Sequence, residues 1–302
     1  MRIFKNRGDI YFSKTNKKKS AEQKILIIAL VAIVIFTIAF VIALSLKYDF
    51  SAKNFFAPDN LEITQVTDNG EEPLPKVSGK NNFITLVSSD ENLLFVILTQ
   101  VDFDNISYKV CTLKASTISD GKSLNDIFKQ SGAQNVKQAV ESLIGVDFDY
   151  YISMTGKQYA DFFDELGDFY YPVLSDIKFK SSDYSLRLSA GEQRLNGSQI
   201  VNLIRYYVDE ENNFSLSNDL ILSSLSQQIN SDNLKKSEYL FRFFVTNSDT
   251  NITVRDFSLA GDELEVLADY RTGPVVYSAQ AEYENNSISA DSLQKIKGYF
   301  VK

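Results

Sequence analysis

Residues 81–113 read NNFITLVSSDENLLFVILTQVDFDNISYKVCTL. The runs NNFITLVSS and NLLFVILTQVD are short, apolar and rich in Phe, Ile, Val and Leu, the pattern of buried strands. FDN is a turn signal, and ISYKVCTL returns as a hairpin partner. Outward from this core the pattern changes period. KSLNDIFKQSG (122–132) and NVKQAVESLIG (135–145) read as helices closed by Gly132 and Gly145. DYYISM is a strand. TGKQYADFFDELG (155–167) is a helix with apolar Tyr159, Phe162, Phe163 and Leu166, and DFYYPV is another strand. YSLRLSAGEQRLNGSQIVNLIRYY (184–207) reads as a strand, a Gly turn, a second turn at Asn196-Gly197 and a helix with Ile200, Leu203, Ile204 and Tyr207 on one face and Arg205 off it. SLSNDLILSSLSQQIN (215–230) is a helix with Ser217 or Asn218 as its cap, and LKKSEYLFRFFVTN extends the helical region. The tail segments ELEVLADY, PVVYSAQAEY and SLQKIKGYF read as short and strand-like or mixed. Hairpins mixed with crossover helices predict an α/β fold: a single mixed-sheet domain with helices on both faces, at residues 79–302.

The N-terminal quarter is built differently. Residues 1–24 hold eight Lys/Arg against Asp9 and Glu22, a net charge of +6. They precede ILIIALVAIVIFTIAFVIALSL (25–46), 22 residues without a charge. At 1.5 Å per residue this run matches the hydrocarbon thickness of a bilayer. It is too long for the apolar region of a cleaved signal peptide. The expectation is one transmembrane helix, with the basic tail cytoplasmic and the rest of the chain outside the cytoplasm at the cell membrane. Residues 47–78 are polar and aperiodic, a stalk or linker.

Composition excludes whole classes of chemistry. The chain has no His, which removes Ser-His and Cys-His catalysis and His-ligated zinc. Its one cysteine, Cys111, forms no intrachain disulfide and no cysteine metal cluster. Catalysis here would use carboxylates, Lys, Arg, Tyr, hydroxyls or an oxygen-ligated cation such as magnesium. Residues 25–302 carry −14, so nucleic acid is not an expected partner.

Several stretches, in order, resemble the LytR-CpsA-Psr family. They are LNDIFKQSGAQNVKQAVESLIGVDFDYYISMTGKQYADFFDELG (124–167), the set Leu188, Gly191, Gln193, Leu195, Gly197, Ile200, Leu203 and Arg205, and TNITVRDF (250–257). The resemblance covers about residues 82–270 and includes the topology of a short basic tail, one span and an outer domain. It implies an envelope protein that transfers a glycopolymer from a polyprenyl-pyrophosphate carrier to peptidoglycan. It also implies a greasy groove for the polyprenyl tail, arginines that clamp the pyrophosphate, and acidic residues that help hold magnesium. Arg suits the task because its bidentate donors spread the charge of a pyrophosphate leaving group.

The departures from the family pattern fall on that chemistry. Where the family has S-I-P-R-D-T, this chain has TLKAST (112–117), which puts Ala115 at the Arg and Ser116 at the Asp. Of the R-x-R pair, Arg205 remains and Tyr207 takes the second place; the following D-x-G-R-x-x-R-Q segment is replaced by NNFSLSNDL. By resemblance, Arg205 and neighbouring Lys114 are the candidate phosphate ligands, with Lys122 and Arg187 in reserve. Asp90 and Glu91, in a shortened SSDEN loop, are the candidate magnesium ligands. Each has a structural counterpart: an Arg205–Asp209 pair at i,i+4, a solvated strand lysine, and an acidic turn. Two functions compete. One is a weakened or non-catalytic relative that binds polyprenyl-linked glycopolymer, peptidoglycan or a partner protein. The other is an active glycopolymer transferase with a rearranged cation site.

Overall fold

The computed structural model describes residues 74–269 and 273–302. The basic tail, the apolar run and most of the linker lie outside the described residues. Among those described, no helix is long and apolar enough to cross a membrane.

The three runs of residues 81–113 form an antiparallel meander: β1 (Lys80–Ser89), β2 (Asn92–Asp102) and β3 (Ser107–Lys114). Two residues, Asp90 and Glu91, connect β1 to β2, and Asp90 has a φ of 44°, the left-handed geometry that such tight hairpins need. A small ribbon, β4 (Ile118–Ser119) with β5 (Lys122–Ser123), leads into helix α1 (Leu124–Ile144). That helix is the crossover that returns β6 (Tyr150–Thr155) parallel to β1. Short strands β11 (Asp249–Thr250) and β12 (Val275–Ser278) close the edges, giving the order β11-β6-β1-β2-β3-β12 in a mixed six-stranded sheet.

Strand alternation sends side chains to two cores. Val87, Phe95, Ile97, Tyr108 and Val110 face the first core, under α2 (Gly156–Leu166), α3 (Gly197–Arg205) and α4 (Phe214–Gln228). The strands β7 (Phe169–Val173) with β10 (Gly191–Leu195), and β8 (Ile177–Lys180) with β9 (Ser185–Leu188), pack there as two ribbons. Ile84, Leu86, Val96, Leu98, Cys111 and Leu113 face the second core, under α1 and the C-terminal helix α9 (Ala290–Phe300). Sheet strands covered on both faces explain the unbroken apolar runs of the sequence. Helices on both faces of a mixed sheet are the expected fold.

Local departures have identifiable causes. The two helices expected at 122–145 are one hydrogen-bonded unit, kinked at Gly132, whose φ of 77° breaks the helix without ending it. In residues 184–207 the turn at Asn196-Gly197 is a helix start. Asn196 accepts from Gln199 N–H in a capping box, and β10 fills the space between the turns. Gly197 is required there, because a Cβ would stand 1.9 Å from the carbonyl oxygen of Ala160 where α3 crosses α2. Helix α4 begins at Phe214 with Asn213 as its cap, so Ser217 and Asn218 are not caps but buried helix residues. Beyond α5 (Ser231–Leu234) and α6 (Ser237–Thr246), the tail is more helical than its β-rich look suggests. It holds α7 (Val254–Leu259), α8 (Gly261–Ala268) and α9, with one small hairpin of β13 (Tyr283–Glu284) and β14 (Ser287–Ile288). Ser289 caps α9, and its Ile296 and Phe300 complete the second core at helical spacing.

Candidate functional site

Arg205 ends α3. Because Ile200, Leu203 and Ile204 are buried on the inner face of that helix, the arginine is turned to its flank. Its guanidinium carbon lies 4.1 Å from the centre of the Tyr184 ring, on β9's approach. Its Nε is buried without a hydrogen-bond partner, and so is the hydroxyl of Tyr184. The chain then widens into a π-helical turn, Tyr206–Glu210. Such turns insert a residue into the helical count and are frequent at functional sites. One effect is that the i,i+4 ion pair of Arg205 with Asp209 does not form: among the described residues no carboxylate lies within ion-pair distance of the guanidinium. A second effect is that Tyr207 points into the first core, 2% exposed, where burial pushes its hydroxyl up to about 12.

Lys114 ends β3 on the same sheet face. Its ammonium donates to Asn212 Oδ1 and lies 5.2 Å from the Tyr283 ring and 5.7 Å from that of Phe214. Its backbone N–H donates to the Tyr283 hydroxyl (3.1 Å). The lysine is half-buried, not a solvated strand residue. Asn212, at φ 51°, is held in the left-handed region just after the π-turn. Asp209, on the π-turn, feels the charge of both Arg205 and Lys114. This carboxylate reaches solvent, yet protein atoms crowd it and desolvation pushes it up to about 6. Glu210 pushes the same way, while Arg205 and Lys114 both pull it down.

The other candidates are dispersed. Ala115 turns to the opposite face and packs on the second core, and Ser116 donates to Asn286 (3.3 Å). Asp90 and Glu91 are exposed at the hairpin tip. From the strand register their Cα atoms stand about 14 Å from that of Lys114. Among the described residues no three carboxylates cluster as a metal cage. The donor set fits only a magnesium that keeps most of its waters and shares one carboxylate with a phosphate ligand. Lys122 bonds Gln130 (3.1 Å), and Arg187 points outward between buried Leu186 and Leu188. The sequence flagged Arg205 by family position, and Lys114 as the neighbour of the Arg position that Ala115 takes. Tyr184, Asn212 and Tyr283 carried no signal, since each reaches the site through tertiary packing. Asp209 was visible only as an i+4 partner.

The first core is incompletely filled. A cavity of about 310 Å3 lies between the sheet and the helices, floored by Phe83, Thr85, Ile97, Thr99 and Ile152 and roofed by residues of α2, α4 and α6. A second cavity of about 210 Å3 shares Phe162, Leu166, Ile229 and Phe244 with it and runs under α6, α7 and α8. The first begins one pleat beyond Val87 and Phe95, the fully buried row level with Lys114. One layer of side chains, about 7 Å along the strands, therefore separates Lys114 from the apolar space.

The fold has solved counterparts. A protein of Eubacterium siraeum described as a transcription regulator is 18% identical, with a TM-score of 0.65 over 80% of this chain and 98% of its own. A LytR-Csp2A-Psr enzyme from Actinomyces oris is 15% identical, with a TM-score of 0.59 over 73% of this chain and 89% of its own. TagT, in a structure bound to LIIa-WTA, is 13% identical, with a TM-score of 0.54 over 73% of this chain and 89% of its own. At these identities the likeness is one of fold. No functionally curated protein matches the sequence. The model of the LytR_cpsA_psr family matches residues 99–297, which takes in β3, the Arg205 helix, the cavity roof and most of α9, and the chain belongs to that family.

Proposed function

We propose that this protein binds a polyprenyl-linked cell-wall glycopolymer at the outer face of the membrane, anchored by residues 25–46, with catalysis weakened or lost. The observation that carries this reading is the apolar cavity between sheet and helices. Each Å2 of apolar surface that a prenyl chain buries there is worth about 25 cal/mol, so lipid affinity does not require a full cation clamp. TagT, bound to LIIa-WTA, shares the fold. Weak chemistry follows from the cations. Arg205 and half-buried Lys114 remain, while Ala115 brings no charge and Tyr207 is buried in the core. Losing a charge-assisted contact to a transition state costs about a hundredfold in rate or more. Magnesium enters this reading as an ion held mainly by the pyrophosphate, since Asp90 and Glu91 stand apart from Lys114 at the hairpin tip. A regulator acting on nucleic acid is disfavoured by the −14 charge of residues 25–302.

The retention of Lys114 and of Arg205, whose Nε is buried without a partner, favours a second reading, an active transferase with a rearranged site. One assay separates the two. The full chain in detergent is offered a polyprenyl-pyrophosphate glycopolymer with and without magnesium, and both binding and transfer to peptidoglycan are followed. Binding with little transfer is expected. Magnesium-dependent turnover abolished by Arg205→Ala establishes the transferase, and absence of binding removes both readings. Protease added outside intact cells tests the topology: it should shave the chain beyond residue 47 and spare the basic tail.

A further inference from the structure

β12 is the last strand of the sheet, and among the described residues no strand pairs with its outer edge. Val275 N–H donates to Ile106 O at 2.8 Å and Ala279 N–H to Val110 O at 3.0 Å. These bonds fix the phase of the strand. In a parallel ladder alternate residues bond to the same neighbour, so Val275, Tyr277 and Ala279 turn their backbone groups to β3. Val276 and Ser278 turn theirs outward, two N–H donors and two C=O acceptors that meet no backbone partner among the described residues. Edges of this kind are usually guarded by charge, a bulge or proline. Here Pro274 stands before the first outward-facing residue, and residues 273–281, GPVVYSAQA, carry no charge. Nine large apolar side chains are exposed among the described residues, and three of them are Val275, Val276 and Tyr277. The edge is therefore a fixed, neutral and apolar template.

We propose that this edge is a docking surface for a second copy of the chain, paired antiparallel across a two-fold axis at Tyr277. The register follows from the outward groups. With the axis at Tyr277, Val276 exchanges both bonds with the second copy's Ser278, and Ser278 with its Val276, so all four groups are satisfied. With the axis moved to Val276, Ser278 meets Pro274, which has no N–H to give. With the axis moved to Ser278, Val276 meets Gln280, whose carbonyl already accepts from the Ser292 hydroxyl at 2.9 Å. Charge selects a like partner at this place. Residues 25–302 carry −14, so two copies repel wherever their acidic surfaces meet. The neutral edge is where backbone approaches backbone without that cost, and it joins the two six-stranded sheets into one. A four-residue edge buries less than the roughly 1,200 Å2 of a stable complex, so the pair is weak and forms where copies are concentrated.

The test is disulfide trapping in the full chain in detergent. The native Cys111 is fully buried and takes no part. The register brings the two Tyr277 Cα atoms to about 4.5 Å as a non-hydrogen-bonded pair, within disulfide reach. The two Val276 Cα atoms, like the two Ser278 Cα atoms, stand about 9 Å apart, beyond that reach. Under a mild oxidant Tyr277→Cys should form covalent dimer about tenfold faster, or more, than Val276→Cys or Ser278→Cys. Charge gives a second readout that needs no oxidant. Tyr277→Lys sets ammonium against ammonium and should weaken association about tenfold in sedimentation equilibrium, and mixing it with Tyr277→Glu should restore the lost association. Equal trapping at all three positions marks random collision, and fastest trapping at 276 or 278 marks another register; each overturns the proposed pair. No covalent dimer from any variant, with the wild type and Tyr277→Lys alike monomeric, means that the edge receives a foreign strand or none, and overturns it as well.

Discussion

At the scale of single residues, the side chain at 207 shows how a family position can change its meaning. Tyr207 is not a neutral group left at a phosphate; it is a core residue, 2% exposed, beside Tyr171 and Leu203. Tyr207→Arg therefore buries an unpaired guanidinium and is expected to destabilise the fold by about 3 kcal/mol or more, read from denaturant unfolding. Unchanged stability with stronger pyrophosphate binding would show that the side chain swings out and that the clamp can be rebuilt. Asp209 makes the opposite kind of prediction. Desolvation pushes its folded carboxyl up to about 6, above the usual carboxylate range, so between the two values the folded state holds a proton that the unfolded state has released. Stability from this group is thus greatest near pH 4 and declines as pH rises through 6. Asp209→Asn should melt higher than the wild type at pH 7.5 and at the same temperature at pH 4. An equal difference at both values would mean that the carboxyl is not perturbed.

At the scale of elements, one buried amide ties three of them together. β12 follows β3 in parallel as far as the bond from Ala279 N–H to Val110 O (3.0 Å), and there the ladder stops. The next bond would run from Thr112 N–H to Ala279 O. Instead the side chain of Asn218, from α4, stands between them, accepting from Thr112 N–H at 2.8 Å and donating to Ala279 O at 2.9 Å. Asn218→Ala leaves a buried donor and a buried acceptor unpaired, an expected cost of about 2–4 kcal/mol by chemical denaturation. A cost under about 0.5 kcal/mol would mean that water or the strands repair the gap. This residue also marks the limit of sequence reading. Asn218 looks like a helix cap because Asn, Ser and Asp favour caps, and nothing local reveals that Asn213, five residues earlier, already fills that role. The strands of residues 81–113 and helices α2 and α3 were legible, because their periodicity and capping residues agree with their final environment. Helices α7 and α8 were not. Exposed or half-buried apolar residues such as Val254, Phe257 and Leu259 blur the helical stripe, and both helices are short.

At the scale of the whole molecule, the two faces of the sheet do different work. The second face is covered by α1 and α9, and Asn82 and Gln100 donate to the backbone of Phe300 to hold the last turn of α9 in place. The first face keeps about 310 Å3 open at the end of the sheet away from Lys114. Interiors pack at crystal-like density, so space of this size is a property to be explained. The position of the cavity was not legible in the sequence, because it depends on how far α4 and α6 stand off the strands. The proposal that it holds a prenyl chain can be tested without touching Lys114, Arg205 or Asp209. Thr99 is half-buried on the floor of the cavity, and Thr99→Phe places a ring in the open volume. Because the space already exists, the penalty usual for overpacking a dense core should be largely absent, and stability should change by about 1 kcal/mol or less. Binding of a polyprenyl phosphate, measured by fluorescence of a labelled lipid, should weaken about tenfold or more, while inorganic pyrophosphate binding stays unchanged. If lipid affinity survives the filled cavity in a variant of normal stability, the chain is held elsewhere and the groove reading fails. If both ligands are lost together, cavity and cation pair form one continuous site, and the row of Val87 and Phe95 must open when the ligand binds.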